Sequence, residues 1–411
     1  MILDGNFPTT YFGLMSRRRL LLRACLAALA LAASPAFAQA PAGAPVVVGI
    51  ALPQTGLLAD LAADLRKGLL LWQDEVNAGG GLLGRPVDVK LIDDQSESSA
   101  AGRLYDALIR EHKADLLVGP FGSAASLGAA ATAERAKRVL VNATGASRNV
   151  HRAAYRYVFQ SATPLGSYGA GVLALAKAQG LSRLFVLARE DPAFRESAGR
   201  LREDALAQGL APGEVEVHAR GTEDFQPQVA KARAANADAW VAFGLTSDAA
   251  GMVKTLKKQG YAPKLLVLQG AADPEFLKLV GQDAEGALGL QPYDRRAATS
   301  GNAAFAAAYA KKWSAEAGLT AAEGYAAGKL LESAVKKAGS LDQDKLRETL
   351  AALEASTPLG DYKVDRNGAQ LAARPLVLQV QRGRREIVWP EPLATAKPQP
   401  LLPWAARQPL K

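Results

Sequence analysis

Short apolar runs alternate with segments of helical periodicity along most of the chain. VVVGIAL at 46–52 has the pattern of a buried strand. The segment after it places apolar residues three or four positions apart, at Leu61, Leu65, Leu69, Trp72 and Val76. This spacing predicts a helix with one apolar face. PVDVKLIDD at 86–94 alternates apolar and polar residues, which predicts a second strand.

The same rhythm continues through two successive blocks. In the first block, the predicted strands DLLVGP and RVLVNA flank a helix over 124–137, and RYVFQSATP closes the block. In the second block, the predicted strands RLFVLAR, EVEVHAR, DAWVAFG and KLLVLQG alternate with helices at 193–209, 225–236 and 247–259. Strands separated by helices favour parallel sheets covered on both faces, so we predict an α/β protein with two lobes in tandem.

The pattern changes near residue 300. GNAAFAAAYAKKWSAEAG and TAAEGYAAGKLLESAVKKAG predict two long helices, and PLVLQVQRGRREIVWP predicts a final pair of strands. Residues 391–411 contain five prolines, and we predict that they form a loose tail.

The N-terminal segment has the pattern of a secretory signal peptide. Ser16 and three arginines precede an apolar run over 20–33, and Ala36-Phe37-Ala38 supplies a cleavage site of small residues. We predict a signal peptide over residues 1–38, with Met15 as an alternative start. The arginines leave two export routes open, the general secretory route and the twin-arginine route.

Charge and cysteine content narrow the classes of function. The whole chain has a formal charge of +9, and cleavage after Ala38 removes four arginines and one aspartate, which lowers it to +6. The chain has no long run of lysine and arginine, so the sequence argues against a nucleic-acid partner. Cys25 is the single cysteine and lies in the predicted signal peptide. The mature chain is therefore expected to have no disulfide and no thiol chemistry.

Two Gly/Ser turns follow predicted strands about twenty residues apart. FGSAAS holds Ser123 and TGASRN holds Ser147. In an open parallel sheet, ligands bind beyond the carboxyl ends of the strands. Hydroxyl groups and the free N–H groups of a helix N-terminus suit a carboxylate there. The alternative is that each serine caps its own helix, and capping and binding are compatible.

Several segments, in their order and spacing, resemble the periplasmic solute-binding proteins of ABC importers, specifically the branched-chain amino-acid-binding (leucine-binding-like) family. These segments are VGIALPQTG, EVNAGGGLLGRPVDVKLIDD, LLVGPFGSAAS, VLVNATGAS, DAWVAFG with SDAAGMVKTLKKQGY, YAAGKLLESAVKKAG and TPLGDYKVDRNG. The resemblance runs from about Val46 to Pro390. It implies two Rossmann-like lobes, the type I periplasmic binding protein fold, joined by a hinge of crossing strands.

The resemblance also implies a role and a set of partners. Lobe 1 is expected over 45–163 and 293–365, and lobe 2 over 164–292 and 366–390. A periplasmic monomer would capture a small solute between its lobes and deliver it to an ABC permease and ATPase, with no cofactor. The residues that match the family's ligand contacts are Ser123, Gly145, Ser147, Phe194 and Gln269, with Gly122 and Thr246 as weaker candidates.

The chain departs from the family at the end of the site that holds an amino-acid ammonium. Gln269-Gly270 stands where amino-acid binders have a glutamate and a glycine, and Leu61 and Leu245 stand where they have tyrosines. A buried ammonium without a counter-anion is costly, so a carboxylic acid without an α-ammonium, such as an aromatic acid, is favoured over leucine. Asp248 or Asp273 could supply an anion, which leaves an amino acid as the alternative.

Three other functions are alternatives to solute transport: two enzyme activities and a receptor module. GGGLLG matches a dinucleotide motif in letters, but it follows a helix and precedes a strand, the reverse of that motif's order. A hydrolase using Ser147 as nucleophile would need His218 within hydrogen-bond reach as its base. His112 and His151 are expected to be solvated, and the scattered histidines predict no metal site. A ligand-sensing receptor module is the remaining alternative to transport.

Overall fold

The computed structural model describes Met1, residues 42–153 and residues 155–407. The predicted signal peptide, apart from Met1, lies outside these residues. The described residues from 42 to 407 form one compact unit. Its strands are β1 Val46–Leu52, β2 Val87–Asp93, β3 Leu116–Val118, β4 Leu140–Asn142, β5 Val158–Gln160, β6 Arg183–Arg189, β7 Ala211–Pro212, β8 Glu216–His218, β9 Ala239–Phe243, β10 Leu265–Leu268, β11 Leu288–Gln291, β12 Ala355–Thr357, β13 Gly360–Tyr362, β14 Leu376–Gln381 and β15 Arg384–Trp389.

The α-helices between these strands account for most of the remaining chain. They are α1 Ala59–Ala78, α2 Ala101–Arg110, α3 Ser123–Arg135, α4 Ala170–Ala178, α5 Pro192–Ala207, α6 Gln226–Ala234, α7 Thr246–Lys258, α8 Pro274–Val280, α9 Asn302–Trp313, α10 Leu319–Ala338 and α11 Gln343–Ala351. Among the described residues, no helix is both long enough and apolar enough to cross a bilayer.

The strands form two main sheets, and the predicted α/β architecture is confirmed. The first sheet has the order β2-β1-β3-β4-β5 with every pairing parallel. The second has the order β15-β14-β11-β10-β9-β6-β7, with β8 also on β6. Its strands from β11 to β6 run parallel, and β14 and β15 are added antiparallel. We call the first sheet with α1–α3 and α9–α11 lobe 1, and the second sheet with α4–α8 lobe 2.

The chain passes between the lobes three times. It leaves lobe 1 after β5, returns after β11 to begin α9, and leaves again after β13 to form β14. Three crossings follow from this order of strands and helices, as in a hinge of crossing segments. The exact residue boundaries predicted for the lobes remain a prediction.

Each sheet buries apolar residues on both faces. In lobe 1, one core surrounds Trp72 and Tyr309, and a separate core lies around Tyr105 on the other face. In lobe 2, the two cores lie around Phe243 and around Trp240. Parallel strands that are covered on both faces read as continuous apolar runs, which is the pattern of VVVGIAL and AWVAF.

Glycines let helices α1 and α10 approach closely in the lobe 1 core. A Cβ atom at Gly68 would lie 2.0 Å from the carbonyl oxygen of Ala321, and one at Gly324 would lie 2.1 Å from the carbonyl oxygen of Leu65. Backbone therefore contacts backbone there, and this contact fixes the position of α1 behind β1.

Two predictions of local structure are wrong. Leu61 is 59% exposed, because it lies in the first turn of α1, before the helix enters the core at Leu65. The expected loose tail is instead packed against lobe 2 as far as the structure describes it, to residue 407. The indole nitrogen of Trp404 donates to the carbonyl of Tyr261 at 3.1 Å, and Arg407 is buried. Trp404 and Arg407 thus attach the proline-rich segment to lobe 2.

Candidate functional site

The two Gly/Ser turns lie side by side beyond the carboxyl ends of β3 and β4. The backbone N–H of Gly122 donates to the Thr144 hydroxyl at 2.8 Å, and that hydroxyl donates to the carbonyl of Pro120 at 2.8 Å. Gly122 has a φ of 82°, a left-handed conformation that glycine adopts without strain. The first turn is therefore fixed to the second before α3 begins.

The structure brings Ser123 and Ser147 together. The backbone N–H of Ser147 donates to the Ser123 hydroxyl oxygen at 3.1 Å. The Ser147 hydroxyl also accepts from the N–H of Asn149 at 3.3 Å, so it caps the short turn over 148–151. Ser123 instead begins α3, and its side chain does not serve as the cap of that helix. The capping alternative thus describes Ser147 and not Ser123.

Gly145 supports the second turn from behind. Its N–H donates to the Asn142 side-chain oxygen at 2.9 Å, and its carbonyl accepts from the Asn142 and Gln160 amides at 2.9 and 3.2 Å. A Cβ atom at Gly145 would lie 2.5 Å from the same Asn142 oxygen. Both backbone groups of Gly145 are thus bound to the protein, and the structure does not place them in the cavity described below.

A carboxylate from lobe 2 is bound at the second turn. Ser147 Oγ donates to Glu196 Oε2 at 2.6 Å, and the backbone N–H of Arg148 donates to Glu196 Oε1 at 2.8 Å. Each carboxylate oxygen thus has one donor from lobe 1. We call the Ser147 hydroxyl and the Arg148 N–H the carboxylate seat. Donors to an ionised acceptor make stronger hydrogen bonds than neutral pairs do.

A cavity of about 830 Å³ surrounds the carboxylate seat and takes residues from both lobes. This volume lies within the range of small-molecule sites. Its lining combines the polar groups of the two turns with an apolar surface and three arginines. The lining residues are Ser123, Ala124, Leu127, Ser147, Arg148, Asn149, Val150, Arg152, Leu165, Asp191, Pro192, Ala193, Arg195 and Glu196.

The charges in this cavity are not balanced. Asp191 forms ion pairs with Arg189 and Arg220. Within the described chain, the lining residues Arg148, Arg152 and Arg195 form no ion pair. The cavity therefore has an excess of positive charge, which attracts anions.

Phe194 was predicted as the aromatic contact of lobe 2, but it does not line the cavity. It packs against the lobe 2 core that also contains Ala198, Leu201 and Ala205. These residues recur at helical spacing, and Glu196 faces another side of α5. Glu196 and Arg148 were not predicted from the sequence. The period of α5 was the available signal, since it turns Phe194, which is half-buried, towards the lobe 2 core.

Gln269 and Thr246 belong to neighbouring turns of lobe 2, and neither is among the residues that line the cavity. A Cβ atom at Gly270 would lie 2.5 Å from the backbone of Leu245 and Thr246, so the turn after β10 packs on the start of α7. The side-chain oxygen of Gln269 is buried and has no hydrogen-bond partner in the described protein. Leu245 is 47% exposed and also does not line the cavity.

The two aspartates considered as ammonium partners are bound to protein groups. Asp248 Oδ2 accepts from the N–H of Leu245 at 2.8 Å and lies 3.6 Å from a nitrogen of Arg189. Asp273 Oδ1 accepts from the N–H of Glu275 at 2.7 Å and caps α8. Neither aspartate lines the cavity around the carboxylate seat.

The histidines do not form the contacts that a serine hydrolase would need. His218 Nδ1 lies 3.1 Å from the carbonyl of Ala219, and its ring packs edge-on against Phe225. The Ser147 hydroxyl hydrogen-bonds to Glu196 instead. The expectation that His151 is solvated is wrong, because its ring lies between Asn142 and Asn367, and burial lowers its pKa. No group of potential metal ligands occurs within 42–153 and 155–407.

Comparison with known proteins places this geometry in a family. A model of the periplasmic binding proteins matches residues 45–385. An amino acid binding protein of Pseudomonas aeruginosa is 26% identical over 79% of this chain and 87% of its own. Among solved structures, a Rhodopseudomonas palustris ABC transporter solute-binding protein in complex with benzoate has a TM-score of 0.66 at 21% identity, covering 84% of this chain and 96% of its own.

A second solved structure supports the same fold. An ABC transporter substrate-binding protein from Desulfitobacterium hafniense, in complex with Leu, has a TM-score of 0.70 at 21% identity and covers 84% of this chain and 100% of its own. At this identity the structural likeness establishes the two-lobed type I fold alone. The family model covers well over half of the chain. The chain therefore belongs to the periplasmic binding protein family.

Proposed function

We propose that this protein captures a small carboxylic acid with an apolar body in the cavity between its lobes. The observation that supports this most directly is the carboxylate seat, since Ser147 Oγ and the Arg148 N–H already hold a carboxylate at 2.6 and 2.8 Å. The Ser123 hydroxyl lies next to the seat and can donate its own proton, because its oxygen accepts from Ser147. Leu127, Val150 and Leu165 offer apolar surface to the rest of the solute.

The role of the protein is that of a substrate-binding component of an ABC transporter, which delivers its solute to a permease. Its location is extracytoplasmic. Within that role, we propose that the predicted signal peptide directs the chain to the periplasm and that the chain acts as a monomer. One relative is named a leucine-, isoleucine-, valine-, threonine- and alanine-binding protein, and a solved structure of the same fold is a complex with benzoate.

The surroundings of Gln269 favour an acid without an α-ammonium over leucine. The neutral Gln269 stands where amino-acid binders have a glutamate, and Asp248 and Asp273 are bound to backbone N–H groups. An ammonium buried without a counter-anion would lose its hydration without compensation. The arginines that line the cavity add to this preference, because they favour a solute with net negative charge.

Melting curves with a panel of solutes test the proposal. The panel contains benzoate, L-leucine, dicarboxylates and neutral amides of the same shapes. A ligand at one hundred times its Kd stabilises the folded state by about 2.7 kcal/mol, which is a readily measured shift. We expect shifts with carboxylic acids and none with the matching amides. Equal shifts with an acid and its amide would contradict a site built for a carboxylate.

A variant of Ser147 tests whether the melting shift depends on the carboxylate seat. Ser147→Ala removes the hydroxyl donor, and we expect it to reduce the shift with the best acid. Ser333→Ala is a matched control, since Ser333 lies on α10 and donates to the carbonyl of Lys329 within its own helix. If the two variants behave alike, the acid binds elsewhere on the protein.

A further inference from the structure

Glu196 occupies the carboxylate seat that the proposed solute needs. Its two oxygens take the Ser147 hydroxyl and the Arg148 N–H, which are the same two donors a solute carboxylate would use. Glu196 lies on α5 in lobe 2, whereas both donors belong to lobe 1. A side chain of the protein thus connects the lobes through the polar end of the site.

We propose that Glu196 is an internal ligand of the carboxylate seat and sets the affinity of the protein for carboxylic acids. This inference rests on the proposed function. In the absence of solute, the Glu196 carboxylate satisfies the seat and holds α5 against lobe 1. A solute carboxylate binds there when Glu196 moves away, because two anions cannot share the same two donors.

The charges around the seat are arranged for this exchange. Asp191, the other acidic residue of the cavity, is paired with Arg189 and Arg220, so Glu196 is the carboxylate bound by uncharged donors. Arg148 and Arg195 line the same cavity as Glu196. A displaced carboxylate remains near positive charge instead of entering an apolar region.

The internal ligand weakens the binding of a solute, because only the molecules in which Glu196 has left the seat can bind it. The apparent Kd is the intrinsic Kd divided by the fraction of such molecules. If the seat is empty in about one molecule in ten, the apparent Kd is about ten times the intrinsic value. Removing the Glu196 carboxylate therefore tightens binding of a carboxylic acid. The opposite result would follow if Glu196 paired with the ammonium of an amino acid, since its removal would then weaken that ligand.

Calorimetric titration of the full mature protein with benzoate and with L-leucine tests the proposal. We expect Glu196→Ala to bind benzoate about tenfold more tightly than the unaltered protein, and Glu196→Gln to give a smaller gain. Glu203→Gln is the matched control on the same helix, since Glu203 is exposed and lies 3.8 Å from Arg200. Benzoate affinity that is unchanged or weaker in Glu196→Ala would overturn the proposal, and so would a selective loss of leucine binding.

A double variant shows whether Glu196 acts through the seat. In a Ser147→Ala background the internal ligand has lost its hydroxyl donor, so the gain from Glu196→Ala should shrink. An undiminished gain would overturn competition at the seat. Failure of the proposed function looks different, because no carboxylic acid of the panel would then bind the unaltered protein or any variant. If no acid binds the unaltered protein but benzoate binds Glu196→Ala, the internal ligand is supported in its strongest form.

Discussion

The turns after β3 and β4 in lobe 1 differ from the turn after β10 in lobe 2 in how their polar groups are satisfied. In lobe 1, hydrogen bonds of Thr144 and Ser147 fix one turn to the other, and Asn142 holds the second turn from behind. In lobe 2, the Gln269 oxygen is buried without a partner in the described protein, and Asp248 is bound to its own helix start.

This difference teaches which end of the site is rigid. A donor held by several hydrogen bonds needs no reorganisation when a carboxylate arrives, so lobe 1 is built to bind an anion. A polar group without a partner costs free energy until something satisfies it, and this makes Gln269 sensitive to substitution.

Glu323 on α10 extends the comparison to a carboxyl group without donors. It is 9% exposed, and no hydrogen bond to its side chain is present in the described structure. Burial raises the pKa of the Glu323 carboxyl to about 8, and the nearby Tyr168 also has a raised pKa, mainly through burial. The neutral acid is therefore the form that the fold accommodates at this position.

The largest expected effect is the pH dependence caused by Glu323. Because the pKa is about 8 in the folded protein and near its ordinary 4.5 when unfolded, the folded state holds the proton more tightly. The contribution of Glu323 to stability is fully present below pH 4.5 and is lost as the pH rises through 8, by about 5 kcal/mol in total. Glu323→Gln removes this dependence, so its melting temperature should exceed that of the unaltered protein at pH 8.5 and match it near pH 4.5. Parallel pH curves for the two proteins would contradict this account.

Gly145→Ala should disrupt the rigid second turn of lobe 1. The new Cβ would lie 2.5 Å from Asn142 Oδ1 and 2.6 Å from Ser126 Oγ, so the turn must shift. We expect a loss of about 2–3 kcal/mol in the free energy of unfolding and loss of acid binding. Gly199→Ala is the control, because a Cβ there meets no atom within 4 Å. Urea unfolding and calorimetry measure both effects, and a variant that binds as before would show that the turn is not rigid.

Gln269→Glu tests the effect of a charge at the turn after β10 in lobe 2. At neutral pH it places a carboxylate beside Asp248 in a small void with no donor, which should cost about 1–3 kcal/mol of stability. We expect weaker binding of the best acid and no gain for leucine. Gln208→Glu, at an exposed position, serves as the control. Tighter leucine binding in Gln269→Glu would restore an ordinary amino-acid receptor and would contradict the preference for an acid without an ammonium.

Ser123→Ala should give the smallest effect. The Ser123 hydroxyl accepts from Ser147 and has a proton left to donate to the solute, so its loss should weaken acid binding by about 1 kcal/mol with little change in stability. Unchanged affinity in calorimetry would reduce the role of Ser123 to positioning Ser147.

The sequence was sufficient to predict the fold because strands and helices alternate with clear periods. It also predicted that Ser123 and Ser147 follow neighbouring parallel strands, which brings their turns together. It did not predict Glu196, because a contact between residues 49 positions apart depends on how the lobes pack. Phe194 was predicted as a ligand contact from the family resemblance, whereas the helical period of α5 packs it, half-buried, against the lobe 2 core.

A crystal structure of the protein with the acid that gives the largest melting shift tests the central claim most directly. The account predicts that the carboxylate of the acid lies within about 3 Å of Ser147 Oγ and of the Arg148 nitrogen, with Glu196 displaced from both. A structure in which Glu196 still holds these two donors, while the carboxylate of the acid is bound by other groups, would contradict it.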